Sequence, residues 1–198
     1  MGRPMTSDEA LMLQFQGGSR VAFEELFARY HEPLYGFFRR RLNHPERAED
    51  LAQDTFLAVI RAASRYEPRA LFRTYLFGIA LKLLSAERRK QLKSITAAEL
   101  DPEPTTGGAP ETGLWVRQAL DRLDGLEREI LMLREYEQLS YSEIADLLRI
   151  PLNTVRSRLF RSRLRMRSHL QSGDRLNPGL RTMEATPAPR DEACHEHD

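Results

Sequence analysis

The chain has 198 residues, 41% of them hydrophobic and 30% charged, with a formal net charge of +1. This length allows one ordinary domain or two small ones, and the single cysteine, Cys194, excludes an intramolecular disulfide. The N-terminus lacks the apolar core of a signal peptide, and the longest apolar run, Leu76–Leu81, is far shorter than the roughly 20 residues of a membrane-spanning helix. We therefore expect a soluble, cytoplasmic protein without membrane insertion.

The positive charge is concentrated in one segment. Residues 149–167 contain seven arginines and no acidic residue, whereas residues 172–198 lean acidic. Because a local basic patch, rather than the total charge, attracts phosphates, this segment indicates a nucleic-acid partner.

Residues 8–92 have helical periodicity with few breakers, which predicts a first all-helical module. Its first helix should be capped by Asp8 and should end near Gly17 and Gly18. The amphipathic run that follows should be interrupted by Pro33, because proline cannot donate a backbone hydrogen bond.

Two longer helices complete this module. The first should run from about Glu46 to Ala63. Its buried side is predicted to hold Ala48, Leu51, Ala52, Thr55, Phe56, Val59 and Ile60. A loop at 66–69 precedes a last helix from about Ala70 to Lys90.

A break in the pattern divides the chain. Residues 93–112 lose helical periodicity and contain a turn-rich run at 101–110, which predicts a flexible linker. Residues 113–171 resume helical spacing and form a second predicted module. Residues 172–198 hold three prolines and two glycines and are expected to be disordered.

Capping patterns mark helix starts in the second module. In a capping box the first side chain accepts a backbone amide, and a glutamate three positions later reaches back. Asp124 and Glu127 form one such pattern, and Ser140 and Glu143 form another. The second box predicts that a helix begins at Tyr141.

A short capped helix over 141–148, a turn at 149–151 and a basic helix over 152–170 make a helix-turn-helix pattern. At about 100° per residue the last helix separates two faces. The side predicted to pack on the preceding helix holds Leu152, Val155, Leu159, Met166 and Leu170. The opposite side holds Asn153, Arg156, Ser157, Phe160 and Arg161, which are groups that can read base edges in a major groove.

Residues 139–148 (LSYSEIADLL) and 150–163 (IPLNTVRSRLFRSR) resemble region four of the sigma-70 family, most closely the extracytoplasmic-function group. Residues 50–56 (DLAQDTF) resemble the polymerase-binding motif of region two, and residues 72–80 (FRTYLFGIA) resemble its promoter-melting helix. The resemblance extends over about 8–170 and implies an all-α fold of two small modules joined by a linker.

The resemblance also implies a function, that of a sigma factor binding core RNA polymerase and directing promoter-specific initiation. Minus-thirty-five DNA would be read by Asn153, Thr154, Arg156, Ser157, Phe160 and Arg161. The minus-ten strand would be captured by Arg65, Tyr66, Arg69, Tyr75 and Lys82. The beta-prime clamp helices of polymerase would be bound by Asp50, Gln53, Asp54 and Phe56. No cofactor is implied, and an anti-sigma factor, or packing of the two modules against each other, would hold the free protein inactive.

The chain departs from the family pattern at five positions, one of which is Asn153, where the family usually has a glycine. Tyr75 replaces the usual tryptophan, and Leu81-Lys82 replaces Arg-Asn, which puts the minus-ten preference in doubt. Arg149 replaces the glycine of the turn, and we expect a turn of different geometry because a left-handed backbone disfavours a bulky residue.

Two other functions are weighed against this one. A helix-turn-helix activator or repressor that does not join polymerase would share the second module, but it leaves residues 50–56 and 70–93 unexplained. Cys194, His195 and His197 are weak metal-ligand candidates at the terminus. The sequence lacks a Gly-rich phosphate loop, a nucleophile motif and paired catalytic carboxylates, so we do not expect an enzyme.

Overall fold

A computed structural model describes residues 6–42, 44–97 and 111–174, with side chains described outside 93–97, 111–115 and 171–174. Within these residues the chain is helical and has no strand, which confirms the all-α prediction. The helices are α1 (Asp8–Gln16), α2 (Arg20–Arg39), α3 (Pro45–Ala62), the 3-10 helix η1 (Ala63–Arg65), α4 (Phe72–Ala97), α5 (Glu111–Asp121), α6 (Gly125–Glu135), α7 (Tyr141–Leu148) and α8 (Leu152–Asp174). None of these described helices is long and apolar enough to span a membrane.

The first module comprises α1 to α4, and two local predictions for it are wrong. Ser7, not Asp8, caps α1, because the Ser7 hydroxyl accepts a bond from the amide of Ala10 at 3.2 Å. Pro33 lies inside an uninterrupted α2. Proline removes only one helical bond, and the residues that follow it, including Leu34 and Phe37, are fully buried and hold the helix together.

Helix α3 follows the prediction closely. Pro45 occupies its first turn, where the missing amide costs nothing, and the helix ends at Ala62. The predicted inward face is buried, except for Ile60, which is exposed. The buried Thr55 hydroxyl donates to the carbonyl of Leu51 at 2.7 Å, so its polar group is satisfied within the helix.

The helices on either side of the predicted linker are longer than expected. Helix α4 continues to Ala97 and α5 begins at Glu111, so both enter the segment 93–112. Helix α8 continues to Asp174, beyond the predicted end at 170. The remaining part of the predicted linker and the predicted tail, with Cys194, His195 and His197, lie outside the described residues.

The second module comprises α5 to α8, and its two capping patterns behave differently. The box at Ser140 and Glu143 is complete, with hydrogen bonds of 3.2 and 2.8 Å, and it confirms the predicted start of α7. Asp124 caps α6 by accepting from the amides of residues 126 and 127. Glu127 does not reach back as predicted, since its buried carboxylate instead accepts a 2.7 Å bond from Arg165 of α8.

The turn between α7 and α8 is left-handed, so the prediction of a different geometry is wrong. Arg149 has φ 55° and ψ 47°, a conformation that costs a bulky residue about 1–2 kcal/mol. The turn is closed by a bond from the Ile150 amide to the Ala145 carbonyl at 3.0 Å, which is the Schellman arrangement. Burial of α7 and α8 against each other therefore overrides the local preference.

Candidate nucleic-acid interface

Helix α8 presents the predicted recognition face to solvent. The exposed residues on it are Asn153, Arg156, Ser157, Phe160 and Arg161, while Thr154 is half-buried. Phe160 is 70% exposed, which is unusual for a large aromatic ring in the middle of a helix. Val155 and Leu159 on the opposite side are buried and fix the rotation of the helix.

The edges of this face differ from the prediction. Leu152 and Leu170, which were expected to pack inward, are 36% and 40% exposed. Ser162 is fully buried and donates to the carbonyl of Leu159 at 2.9 Å. Leu164 is exposed one turn beyond Phe160 and extends the apolar part of the surface, a feature that sequence reasoning missed.

Carboxylates at α6 orient the basic side of α8. The pairs are Arg158 with Asp124 at 3.3 Å, Arg163 with Glu135 at 2.7 Å, and Glu127 with both Arg165 at 2.7 Å and Arg161 at 3.9 Å. The absence of acidic residues within α8 therefore does not leave all its arginines unpaired. Arg156 has no acidic group within 4 Å among the described residues, which leaves it available to a ligand.

A cavity of about 310 Å³ lies between the end of α3, the following loop and the start of α4. It is lined by Ala62, Arg65, Tyr66, Glu67, Arg69 and Tyr75. Four of the five residues predicted to capture the minus-ten strand are thus brought together. Lys82 does not line the cavity; it is exposed on α4, two helical turns after Tyr75 and on the same side.

The two tyrosines of the cavity have different roles. Tyr66 is buried, and its hydroxyl has no hydrogen-bond partner among the described residues. Burial raises the pKa of Tyr66 to about 12, so its hydroxyl remains a donor at neutral pH. Tyr75 is half-buried with its ring centroid 5.3 Å from that of Tyr66 in an edge-on contact. The ring of Tyr75 is therefore the one with a surface open to a ligand.

Helix α1 fixes the loop that forms this cavity. The Gln16 side-chain amide donates to the carbonyls of Ala63 and Tyr66 at 3.0 and 3.2 Å. The Glu9 carboxylate accepts from the amide of Phe72 at 2.7 Å, at the first residue of α4. Sequence reasoning missed both residues, because no local pattern links positions separated by 47 to 63 residues.

The predicted polymerase-binding residues of α3 do not all share one surface. Asp50, Gln53 and Asp54 are exposed, as the prediction requires. Phe56 is 3% exposed, and its ring packs 4.7 Å from that of Phe27, so its assignment as a surface contact is wrong. It belongs to the core of the first module.

The apolar contribution to this α3 surface comes from other residues. Leu57 and Ile60 are 45% and 42% exposed. Leu57 follows Gln53 by four positions and Asp54 by three, so it continues the same helical face. Spacing alone could have identified Leu57.

Comparison with known proteins assigns both modules to one family. A model described as Sigma-70 region 2 matches residues 26–93, and one described as Sigma-70, region 4 matches residues 113–166. The RNA polymerase sigma-H factor of Pseudomonas aeruginosa is 31% identical over 175 residues, covering 79% of this chain and 90% of that protein. The ECF RNA polymerase sigma-E factor of Haemophilus influenzae is 29% identical over 183 residues, covering 83% and 96%.

A solved structure shares the fold. It is that of the sigma factor RpoE in complex with the anti-sigma factor NepR from Bartonella quintana, with a TM-score of 0.64 and 22% identity. The match covers 75% of this chain and 96% of that one.

Proposed function

Since the chain belongs to the extracytoplasmic-function group of the sigma-70 family, it is a promoter-directing initiation factor that binds core RNA polymerase, and we propose which of its surfaces make each contact. We assign region two to residues 8–92, region four to 113–171 and the connection to 93–112. A helix-turn-helix regulator that does not join polymerase is not favoured, because it would not account for the match over 26–93.

Helix α8 reads the minus-thirty-five duplex in this proposal. A major groove admits one α-helix, an arginine can bond a guanine twice, and an aromatic ring can contact a thymine methyl. Arg156 and Phe160 supply these groups on one exposed face, with Asn153, Ser157 and Arg161 beside them. The observation that most directly supports this assignment is the 70% exposure of Phe160, since only contact with a partner would remove that ring from water.

The cavity beside α4 captures an unpaired base of the minus-ten strand. Flipped bases are held by stacking on aromatic rings and by hydrogen bonds to their edges. Tyr75 offers the ring surface, and the buried ring of Tyr66 packs edge-on against it and holds it in place. Arg65 and Arg69 place positive charge at the same cavity, and Lys82 would meet the strand backbone further along α4.

The exposed face of α3 docks on the beta-prime clamp helices. Asp50, Gln53 and Asp54 give it an acidic and polar part, and Leu57 and Ile60 give it an apolar part. A surface with an apolar patch beside charged groups is typical of a protein partner. An anti-sigma factor is a further partner in this proposal, because a protein of the same fold, the sigma factor RpoE of Bartonella quintana, forms a complex with the anti-sigma factor NepR.

We further infer that the protein acts by binding and not as an enzyme. Strand opening draws on the free energy of binding, so no cofactor is required. The protein would act in the cytoplasm, where polymerase and the chromosome are found.

The test is transcription with reconstituted polymerase. Adding the protein to core polymerase should produce transcripts from specific promoters, whereas a regulator that does not join polymerase would produce none. In the Arg156→Ala variant, binding to the upstream element should weaken by about 1–3 kcal/mol and lose selectivity for one base pair. Arg163→Ala is the matched control, because Arg163 lies on the same helix but is paired with Glu135. Equal footprints for Arg156→Ala and the unmodified protein would refute the assigned face.

A further inference from the structure

A buried ion-pair cluster joins the two modules. Arg41, just beyond α2, donates to Glu137 at 3.0 Å and to Glu129 at 2.9 Å. The side chains of Arg41 and Glu137 are 1% and 2% exposed. Arg40 donates to the other oxygen of Glu137 at 2.9 Å, and its guanidinium lies 4.4 Å from the ring centre of Tyr136.

A second group of contacts joins α4 to α7. Arg73 donates to both oxygens of Glu143, at 2.9 and 2.8 Å, and the Thr74 hydroxyl donates to the first of them at 2.6 Å. Burial alone would raise the pKa of Glu143, but the bonds from Arg73, Ser140 and Thr74 outweigh it and lower the pKa to about 2. Glu143 is therefore fully ionised at neutral pH.

The interface also contains close apolar packing. A Cβ placed on Gly78 of α4 would lie 3.4 Å from the Cδ1 atom of Leu147 in α7, which is van der Waals contact. Acidic residues of region four thus meet basic residues of region two around a small packed centre.

This packed arrangement cannot engage both promoter elements together. Elements at minus thirty-five and minus ten are about 25 base pairs apart, or roughly 85 Å at 3.4 Å per pair. A compact chain of this length has a radius of gyration of about 16 Å and is therefore roughly 40 Å across. The modules have to separate before one molecule can contact both elements.

We propose that Arg40, Arg41 and Arg73 of region two, together with Glu137 and Glu143 of region four, form a latch that holds the free protein closed. This inference rests on the proposed function for its biological meaning. The region-two side of the latch is a basic surface that binds carboxylates, and in the free protein these carboxylates come from the chain's own second module.

The chemistry of buried ion pairs makes such a latch reversible. Removing one partner leaves an uncompensated charge in a site shielded from water, which is strongly unfavourable. Separating the whole modules returns both partners to water, where hydration replaces most of the lost attraction. The closed state is therefore sensitive to single substitutions, yet binding to polymerase and DNA can open it.

Single-molecule energy transfer on the full chain, without polymerase or DNA, tests the latch. Dyes are attached to cysteines introduced by Val21→Cys and Leu164→Cys, two exposed positions in different modules, with Cys194→Ala preventing a third attachment. The parent should be mainly closed. Glu137→Gln should raise the ratio of open to closed molecules by about tenfold or more, because it leaves Arg41 with one fewer charged partner.

Two further variants complete the test. Arg73→Gln removes the ion pair with Glu143 while leaving the Thr74 bond and the capping box of Ser140 and Glu143 in place, and it should also raise the open fraction. Glu135→Gln is the matched control, since Glu135 pairs with Arg163 within region four. A parent that is mainly open would overturn the latch, and so would Glu137→Gln and Arg73→Gln variants with the parent's ratio. Circular dichroism establishes that each variant is folded.

A reversible lock tests the consequence for transcription. Gly78→Cys with Leu147→Cys, in the Cys194→Ala background, introduces one thiol on each side of the packed centre, and a thiol titration after oxidation establishes that the disulfide has formed. The oxidised, closed protein should lose at least tenfold in promoter-specific transcription and should regain it on reduction. Full activity of the oxidised form would overturn the inhibitory role of closure. If the parent protein itself directs no promoter-specific transcripts, the proposed function fails, while the energy-transfer result still decides the latch.

Discussion

Replacing Phe160 with alanine separates folding from DNA recognition on helix α8. A phenylalanine side chain buries roughly 200 Å² when fully covered, so 70% exposure leaves about 140 Å² open in the free protein. At about 25 cal/mol per Å², complete covering of that surface would contribute at most ~3.5 kcal/mol. Contact along one side of a groove would cover about half of it, so we expect a loss of about 1–2 kcal/mol in duplex affinity.

The stability of the fold should not change to a comparable extent. A substitution at an exposed site usually alters the free energy of unfolding by less than about 0.5 kcal/mol. Affinity is measured by fluorescence anisotropy on a duplex carrying the upstream element, and stability by urea denaturation. Val21→Ala is the matched control, because Val21 is also 70% exposed but lies in the other module. Unchanged affinity for Phe160→Ala, or a stability loss typical of a core residue, would refute the reasoning.

Three further predictions concern the cavity, the latch and the core. Tyr75→Ala should weaken binding of a single-stranded minus-ten oligonucleotide by about 1–3 kcal/mol, whereas Tyr75→Phe should retain most of the affinity; equal losses would argue against stacking. The pKa of Glu143 is lowered to about 2, so its stabilising contribution should be present above its usual pKa and be lost as the pH falls through about 2. Urea midpoints of the protein and of Glu143→Gln should therefore converge over that range, and a constant difference would contradict the assignment. Phe56→Ala should lower the free energy of unfolding, measured by urea denaturation, by about 3–5 kcal/mol. The control Leu57→Ala, at an exposed position, should lower it by less than ~1 kcal/mol. A similarly small effect of Phe56→Ala would contradict the burial of Phe56 in the core.

Local sequence signals predicted the helices and the rotation of α8, because periodicity and capping act over a few residues. They could not predict which distant residue a charged side chain would pair with. The Asp124–Glu127 pattern satisfies the sequence rule for a capping box, yet Glu127 pairs with Arg165, which is 38 residues away. In the same way, Asp8 is not a cap because it bonds Arg29 and Tyr30 of α2. A charged side chain takes the partner that tertiary packing places nearest.

The assignment of Phe56 shows a different limit. Helical periodicity placed Phe56 on the buried side of α3, while the family motif suggested that the same residue faces polymerase. These two predictions exclude each other for a residue that is 3% exposed. Periodicity reports what one helix buries within its own module, whereas a motif can contain both surface residues and the core residues that support them. At conflicts of this kind the periodicity is the better guide to burial.

Several places where the chain departs from ordinary folding rules lie at the proposed contacts, although the buried Nε atoms of Arg128 and Arg158 also lack a described partner. Phe160 exposes a ring on α8, the Tyr66 hydroxyl is buried without a described partner, and Arg149 has a positive φ at the turn that leads into α8. Gln138, the other such non-glycine residue in the described chain, follows Glu137 of the latch. Each departure costs free energy in the isolated protein, and stable folds concentrate such costs where function requires them. In the proposed function a duplex would cover Phe160, so the cost of exposing this ring would be recovered when DNA is bound.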